Sequence, residues 1–376
     1  MSLFAVLAAF GLEHWWPERP GQPRRAASEW LAWLMENLNA GGEQHGALAW
    51  TLGALVPALV VAGLTALFSE VWWPLAWAFD VVVLYFCLGF KSASFRAASV
   101  VRALREGDMA RARETLSEWR PSILAGGDEA ALVRQTLEET FRQSMVRLFG
   151  VLFWYLPLGA AGAVLYLLTR LARDRWHGEL AFDRFADRMA GWLDWLPVRL
   201  VAFSFAIVGN FQDAQESWRS QARGWGDENE GILLAAGAGA LGLQLGGIVN
   251  LPAGELVRPI LGLDEAPGLD SLDAVVALIW RAALLWVAVL GLFWLAACDA
   301  SGSCHSERAC FQARIMLISR GAIMTLLSIR NLNEEALKCL KIAAREEGVS
   351  VNSLVVRLIE TAIGVRSGRG DAPEQY

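Results

Sequence analysis

The stretch ALAWTLGALVPALVVAGLTALF at residues 47–68 decides the fold of this chain. It contains 22 consecutive residues without a charge. An α-helix rises about 1.5 Å per residue, so a helix of this length can cross a hydrocarbon layer of roughly 30 Å. The stretch therefore predicts a membrane-spanning helix.

The composition supports a membrane location. Hydrophobic residues make up 55% of the 376 residues and charged residues only 19%, and 18 tryptophans stand against 4 tyrosines. A soluble core of this size does not need so much apolar surface, and tryptophans near segment ends are typical of the interfacial belts of membrane proteins. The net charge of -6 excludes a general electrostatic attraction to nucleic acid, so any DNA contact must be local.

Four further apolar segments follow the first, at 71–90, 148–169, 231–252 and 274–298. The N-terminal stretch 1–12 lacks the basic region of a cleavable signal peptide, and we expect a short first span or an interfacial anchor there. The predicted fold is an all-α polytopic membrane protein with four or five membrane segments. We expect it in a bacterial-type inner (plasma) membrane, in contact with membrane lipid.

Two arginine-rich stretches, 91–147 and 170–230, lie between these segments. The positive-inside rule places both in the cytoplasm. Because they flank a single apolar segment, both can be cytoplasmic only if 148–169 turns back on itself. Pro157, Gly159 and Gly162 weaken its middle, which is consistent with a re-entrant segment as well as with a straight span. The sequence leaves both alternatives open.

A run of small residues, GAGALGLQLGG at 237–247, is the strongest local signal in the membrane body. Its residues Gly239, Gly242, Gly246 and Gly247 allow another backbone or a ligand to approach closely. From the spacing alone, both substrate binding and close packing of helices stay open.

Together with Asn229-Glu230-Gly231, this run resembles the alanine/glycine motif of the CobD/CbiB membrane proteins of cobalamin biosynthesis. The resemblance continues in Gly107-Asp108 with Ala112-Arg113 and Ser117, in Leu152-Phe153-Trp154, and in Asp194-Trp195-Leu196-Pro197-Val198-Arg199-Leu200. It covers residues 1–298, and the order and spacing of the motifs support it.

The resemblance implies an ATP-dependent ligation at the membrane that joins an aminopropanol group to adenosylcobyric acid through an amide. A corrinoid would then be the partner, and Mg-ATP the cofactor if the ligase activity is retained; no resident metal site is predicted. Glu138 falls at a glutamate of the family, and Asp194 and Arg199 lie in its Pro-x-Arg-Leu stretch, which makes these three the candidate catalytic residues. Asp194 beside Arg199 is also consistent with a buried ion pair or with part of a phosphate site.

Three polar motifs of the family are absent from this chain. Its Gly-Arg-Asp-Thr motif is replaced by EWRPSI at 118–123, its Glu-Asn and following Asp by Arg142, Gln143 and Val146, and its Asn-Thr-Leu-Asp-Ser-Met motif by TRLAR at 169–173. A retained apolar scaffold without these motifs is typical of a non-catalytic relative. The stretches 152–154 and 193–200 also resemble AmpE, so the alternative is an AmpE-like non-enzymatic protein of membrane signalling linked to β-lactamase induction.

Asp80 lies near the middle of the apolar segment 71–90. An acidic side chain inside a span is costly and is often functional. A hydrogen bond to a neighbouring helix is the structural alternative, and the sequence does not choose between them.

The character of the chain changes after residue 298. We expect a linker at 299–323, a small module at 324–364 and a disordered tail at 365–376. In the module, TLLSIR at 325–330 predicts a strand, while Asn333 and Ser350 are suitable N-caps for two helices separated by Gly348. This order resembles the ribbon-helix-helix fold of FitA-type antitoxins.

That second resemblance implies a DNA-binding module in the cytoplasm. So small a unit cannot bury a core alone, and a self-dimer through 324–364 is expected. Leu326, Ser328 and Arg330 would face the DNA from the strand that enters the major groove.

Overall fold

The computed structural model describes residues 2–15, 22–119, 127–178, 181–251 and 254–300. The predicted DNA-binding module at 324–364, with Leu326, Ser328 and Arg330, lies outside these residues and stays a prediction. The chain divides into two units, Met1–Leu295 and Ala296–Tyr376, and the architecture below is that of the first.

The unit is mostly helical and contains one β-hairpin. Its elements are α1 (Ser2–Trp15), α2 (Gln22–Leu38), α3 (Glu43–Trp50), α4 (Val56–Val71), α5 (Trp73–Cys87), α6 (Phe90–Arg105), α7 (Met109–Trp119), α8 (Glu129–Ser144), α9 (Gly150–Trp176), α10 (Asp183–Val208), α11 (Phe211–Gln221), α12 (Glu228–Leu241), β1 (Gln244–Leu251), β2 (Gly254–Gly262) and α13 (Ser271–Ala300). Short π-helical segments, Thr51–Leu55 and Met145–Phe149, join α3 to α4 and α8 to α9, and a 3-10 turn, Ala222–Gly224, follows α11.

Five helical stretches among the described residues are long and apolar enough to cross a membrane. They are Glu43–Val71, Trp73–Arg105, Glu129–Trp176, Asp183–Val208 and Ser271–Leu292. Four of them overlap predicted segments, which confirms the multi-pass helical architecture. Helix α1 has 14 residues and would extend only about 21 Å, so it is shorter than a full span.

The predicted membrane segment at 231–252 is wrong, and α10 stands among the candidate spans in its place. Helix α12 ends at Leu241 because Gly242 adopts the left-handed conformation, with φ 76°, that closes a helix. The chain then enters the hairpin, so 231–252 does not form one helix. The sequence analysis assigns α10 to an arginine-rich polar stretch because charged residues such as Asp194 interrupt it, yet Asp194 is buried inside the protein.

Helix α9 breaks at Gly159 and the chain turns back on itself there. Gly159 has φ 62° and ψ -152°, a conformation open essentially only to glycine. Arg142 precedes the break and Asp174 follows it, yet Arg142 Nη1 lies 3.2 Å from Asp174 Oδ1. A straight helix would separate two positions 32 residues apart by roughly 48 Å. The structure therefore selects the re-entrant alternative, and the two arginine-rich stretches leave this helical hairpin at the same end.

We expect Gly159→Ala to destabilise the protein by about 1–3 kcal/mol, because an L-residue is strained in this conformation. A Cβ there would meet nothing within 4 Å, so the effect would come from the backbone alone. Gly63→Ala in α4 is the matched control, since that position is also open but helical, and alanine should stabilise it by about 0.5–1 kcal/mol. Thermal unfolding in detergent measures both, and equal midpoints for the two variants would contradict the backbone argument.

The sequence predicts an all-α fold, and the β-hairpin corrects that prediction. Strands β1 and β2 pair antiparallel, with a register shift between Gly246 and Gly247. Both glycines have positive φ, 87° and 84°, as an irregular strand position of this kind requires. The hairpin returns the chain to the ends of α11 and α12. There Gly262 N donates to Gln221 Oε1 at the end of α11, and Leu263 N donates to Leu243 O just after α12.

Helix α12 lies in the core of the unit. All its residues from Gly231 to Ala240 are buried. A Cβ at Gly239 would lie 2.5 Å from the Asp213 carbonyl oxygen of α11, and one at Gly237 would lie 2.6 Å from the Phe141 ring of α8. The small residues of α12 therefore allow close packing of helices.

Candidate functional site

A cluster of charged residues lies where α8, α9, α10 and the start of α12 meet, with Glu139, Arg170 and Asp194 buried and the other members partly or largely exposed. We call it the charged cluster; its members are Glu139, Arg142, Arg170, Arg173, Asp174, Asp194 and Asp227. Arg142 donates two hydrogen bonds to Glu139, at 2.8 and 2.9 Å, and contacts Asp174 across the helical hairpin. Every arginine of the cluster contacts a carboxylate, as charges removed from water require.

Asp194 is a buried acid of the charged cluster, with a hydrogen-bond donor on each of its two oxygens. Its Oδ2 accepts a hydrogen bond of 2.5 Å from Arg170 Nη1, and its Oδ1 accepts one of 2.8 Å from the Tyr166 hydroxyl. The predicted ion pair between Asp194 and Arg199 is not formed. The two side chains are five residues apart on α10, so they point in directions that differ by about 140°.

Asp227 joins the charged cluster to the first turn of α12. Its carboxylate caps that helix by accepting from the backbone of Asn229 and Glu230, and it accepts a hydrogen bond of 2.6 Å from Arg173. Burial opposes its ionisation, but Arg173 outweighs burial and holds the pKa of Asp227 below its ordinary value of 3.8. Asp227 is therefore a stable anion at neutral pH.

The depressed pKa of Asp227 predicts a contribution to stability that is present above about pH 4 and is lost as the pH falls further. The sign follows because the unfolded chain binds this proton more readily than the folded chain does. Asp227→Asn should remove that part of the acid sensitivity while keeping the cap, since asparagine is also a good N-cap. Thermal midpoints of the two proteins between pH 3 and pH 7 test this; parallel curves would contradict it.

A small cavity lies inside the charged cluster. Its lining includes Arg142, Arg170 and Asp194 from one side and Asn229 and Glu230 of α12 from the other, and its volume is about 20 Å³. That volume holds about one water molecule. The charged cluster is thus closed to any substrate in this conformation.

Arg199 lies at the boundary between the charged cluster and an open groove. Its Nη1 donates to Asn229 Oδ1 at 3.2 Å and to the Trp195 carbonyl oxygen at 2.7 Å, and its guanidinium carbon lies 4.4 Å from the Trp195 ring centre. The groove has a volume of about 690 Å³ and is bounded by α10, α11 and the start of α12. Arg199 is therefore the candidate catalytic residue that a ligand can reach directly.

Glu138 is held in a separate buried ion pair at the β-hairpin. Its two oxygens accept from Arg258 at 2.7 and 3.0 Å, and Oε1 also accepts from the backbone of Gly246 at 2.9 Å. The Arg258 guanidinium carbon lies 4.7 Å from the Trp225 ring centre. This arrangement fixes the hairpin to α8, and Glu138 shares no described hydrogen bond with Asp194 or Arg199.

The structure gives each of the four candidate glycines a backbone role. Gly239 packs against α11, Gly242 closes α12, and Gly246 and Gly247 shape β1, with Gly246 also donating to Glu138. None of the four lines the groove or the small cavity. Helix packing accounts for Gly239, and the positive φ values account for the other three.

Asp80 contacts a neighbouring helix and also borders a cavity. Its Oδ1 lies 3.4 Å from the Thr65 hydroxyl of α4, which is the contact predicted by the structural alternative. It also borders a cavity of about 250 Å³ between the α4–α5 turn and the break in α9. The functional alternative stays open.

One group of possible metal ligands was not predicted. His177, Asp183 and Asp187 each place a ligand atom within 4.8 Å of the others. Two carboxylates and an imidazole fit a divalent cation by donor type. Both acids have other contacts, because Asp183 accepts from Gly178 N and Asp187 lies 3.2 Å from Arg173 Nε.

Sequence reasoning missed Arg170, Asp227 and Arg258. Arg170 begins an arginine-rich stretch and lies in a lost motif, and nothing in the sequence distinguishes it from Arg173 or Arg175 as the partner of Asp194. Asp227 precedes a glycine-rich helix and could have been recognised as its N-cap. Arg258 had no signal, since its pairing with Glu138 spans 120 residues of sequence.

The fold and the site define a class of protein: a polytopic helical membrane protein with an ion-paired cluster beside an arginine-lined groove. The sequence model of one family, described as "CobD/Cbib protein", matches residues 6–279. The chain belongs to the CobD/CbiB family.

Relatives in that family are similar over most of their length. The cobalamin biosynthesis protein CobD of Stutzerimonas stutzeri is 35% identical over 255 residues, which is 66% of this chain and 82% of the relative. CobD of Chromobacterium violaceum is 35% identical over 230 residues, 60% of this chain and 72% of the relative. CbiB of Salmonella typhi is 28% identical over 274 residues, 68% of this chain and 83% of the relative. No solved structure matches the chain.

Proposed function

We propose that the membrane domain catalyses the amide ligation expected of its family, joining an aminopropanol-type amine to the carboxylate of adenosylcobyric acid. The observation that supports it is the 35% identity to a CobD protein of cobalamin biosynthesis over 82% of that protein. Family membership and the membrane helices support a role in cobalamin biosynthesis at the membrane, and the ligation is the more specific proposal.

The chemistry of the described residues is compatible with this reaction. Forming an amide from a carboxylate and an amine releases water, so an ATP-driven activation of the carboxylate is needed. The groove at Arg199 is large enough to take part of an extended, polar ligand, whereas the small cavity is not. In this proposal Arg199 binds an anionic group in the groove, while the ion pairs of the charged cluster hold α12 and Asn229 behind it.

Mg-ATP is the cofactor that the proposal requires. Asp174, Asp194 and Asp227 all contact arginines and are poorly suited to hold a cation. Among the described residues, His177, Asp183 and Asp187 bring three donor atoms together, but the imidazole is a poor ligand for Mg²⁺ and Asp187 lies 3.2 Å from Arg173 Nε, so this group does not fit Mg²⁺ either.

The second candidate is an AmpE-like signalling role without catalysis. The observation that favours it is the replacement of a family Glu-Asn pair by Arg142 and Gln143, both of which bond to Glu139 inside the charged cluster. These hydrogen bonds give Arg142 and Gln143 a structural role that requires no catalysis.

Complementation separates the two candidates. The full chain is expressed in a bacterial strain that lacks the cobinamide synthase, and corrinoid-dependent growth is measured. Growth is expected, and Arg199→Ala should reduce it while Arg184→Ala, an exposed arginine elsewhere on α10, should not. Absent growth with normal membrane expression, together with a changed β-lactamase induction phenotype, would favour the AmpE-like role.

For residues 324–364 we propose a cytoplasmic, dimeric DNA-binding module, on the order of predicted strand, helix and helix alone. Leu326, Ser328 and Arg330 remain its proposed DNA contacts. The test compares DNA binding by the detergent-purified full chain and its Arg330→Ala variant as the salt concentration rises. Binding to DNA phosphates should weaken steeply as the salt concentration rises. DNA binding that changes neither with salt nor in Arg330→Ala would contradict the proposed DNA-binding module.

A further inference from the structure

The groove beside α11 contains cationic groups that the charged cluster does not use. Three arginines line it: Arg199 from α10, Arg219 from α11 and Arg223 from the 3-10 turn that follows. Glu228 is the acid in the lining, and its Oε1 lies 4.0 Å from Arg199 Nη2. The lining therefore has an excess of two positive charges, on Arg219 and Arg223.

Arg219 and Arg223 differ from the ion-paired arginines of the charged cluster and the hairpin in their contacts within the described part of the chain. Neither forms an ion pair or hydrogen bond with any described residue, whereas Arg142, Arg170, Arg173 and Arg258 all do. Their positions differ by four across the end of α11 and the 3-10 turn, about one helical turn, and both line the groove. Two guanidinium groups at this spacing can bind the same oxyanion.

Other groups in the groove are suited to the same kind of ligand. The Trp218 indole N–H and the Gln215 amide line it and have no hydrogen-bond partner among the described residues. Phe203 and Phe211 add an apolar wall, and both rings are exposed. Leu196, Leu200 and Ile207 continue that apolar surface along α10.

We infer that this groove is a binding site for the phosphate group of a ligand, with Arg219 and Arg223 as the phosphate-binding residues. Phosphate fits because it offers several acceptor oxygens and its charge matches the excess in the lining. The apolar wall admits two sources: a soluble phosphate compound, or the headgroup of an anionic lipid whose chains follow α10. The inference rests on the proposed function in that it specifies the anionic group bound in this groove, and its test measures binding alone, so that its failure is distinguishable from failure of the ligation.

Inorganic phosphate and lipid vesicles are the probes. The full-length protein in an uncharged detergent is titrated with inorganic phosphate, and binding is followed by phosphorus NMR line broadening. In parallel, the protein is tested for exchange into vesicles of phosphatidylcholine with phosphatidylglycerol against phosphatidylcholine alone. The variants are R219Q/R223Q and, as a charge-matched control, R102Q/R184Q, which changes two exposed arginines outside the groove.

We expect R219Q/R223Q to weaken binding by on the order of tenfold or more, and the control to bind like the wild type. Phosphate binding that is lost only in R219Q/R223Q, without a preference of the wild type for phosphatidylglycerol, identifies a soluble phosphate compound as the ligand. A preference for phosphatidylglycerol that is lost only in R219Q/R223Q identifies a lipid headgroup. The inference is overturned if R219Q/R223Q and the control behave alike in both assays, or if the wild type binds neither probe. Unchanged thermal midpoints establish that both double variants are folded, and activity is not used as a readout.

Discussion

Replacement of Asp194 by alanine is expected to lower the free energy of unfolding by about 3–5 kcal/mol. Asp194 is buried with Arg170 and Tyr166, so its removal leaves a guanidinium group charged and without its carboxylate inside the protein. The thermal midpoint of the purified protein should fall by on the order of 10 °C. Asp264→Ala, which removes an exposed aspartate, is the control and should change it little.

A double-mutant cycle separates this ion pair from a general loss of packing. Arg170→Met alone should also be strongly destabilising, because it leaves Asp194 without its cation. The double variant Arg170→Met/Asp194→Leu should be less destabilised than the sum of Arg170→Met and Asp194→Leu made singly, since it leaves no buried charge. Strict additivity of the two single effects would contradict the proposed pairing.

Replacement of Glu138 by alanine is the second large expected effect. It removes the acceptor of two hydrogen bonds from Arg258 and one from Gly246, and the cost should again be about 3–5 kcal/mol. The loss should be local as well as global, because these bonds fix the β-hairpin to α8. Hydrogen exchange of the backbone amides in 244–262 should become faster in this variant.

Glu255→Ala is the control for Glu138→Ala, because Glu255 is an exposed acid on β2. Its exchange should match that of the wild type. Arg258→Lys should give an intermediate effect, since an ammonium group cannot reproduce the two-pronged contact of a guanidinium with both carboxylate oxygens. If exchange in the hairpin stays unchanged in Glu138→Ala, the ion pair does not hold the hairpin in place.

Much of the helical scaffold could be predicted because its signals are local. The apolar run at 47–68 predicts a span directly. Pro157 and Gly159 weaken the middle of the segment 148–169, where α9 breaks. The failure at 231–252 has a local cause too: the residues are apolar, but Gly242 ends the helix and the chain continues as strands. Apolar composition indicates that a segment is buried, but it does not indicate which secondary structure the segment adopts.

The partners in the site could be predicted much less well. The sequence analysis pairs Asp194 with Arg199, five residues further along the chain, but Arg199 lines the groove and the partner of Asp194 is Arg170 on another helix. Glu138 and Arg258 likewise meet only through the fold. Pairing across helices depends on how the helices pack, and a single sequence contains no direct signal for it.

The most direct test of the account uses the purified full-length protein in detergent with adenosylcobyric acid, an aminopropanol or its phosphate, and Mg-ATP. The product is identified by mass spectrometry. The account predicts a corrinoid whose mass equals the sum of the two substrates less one water, with nucleotide hydrolysis that depends on both substrates. A folded wild-type protein that forms no amide, under conditions in which a control synthase forms it, would contradict the proposed ligation.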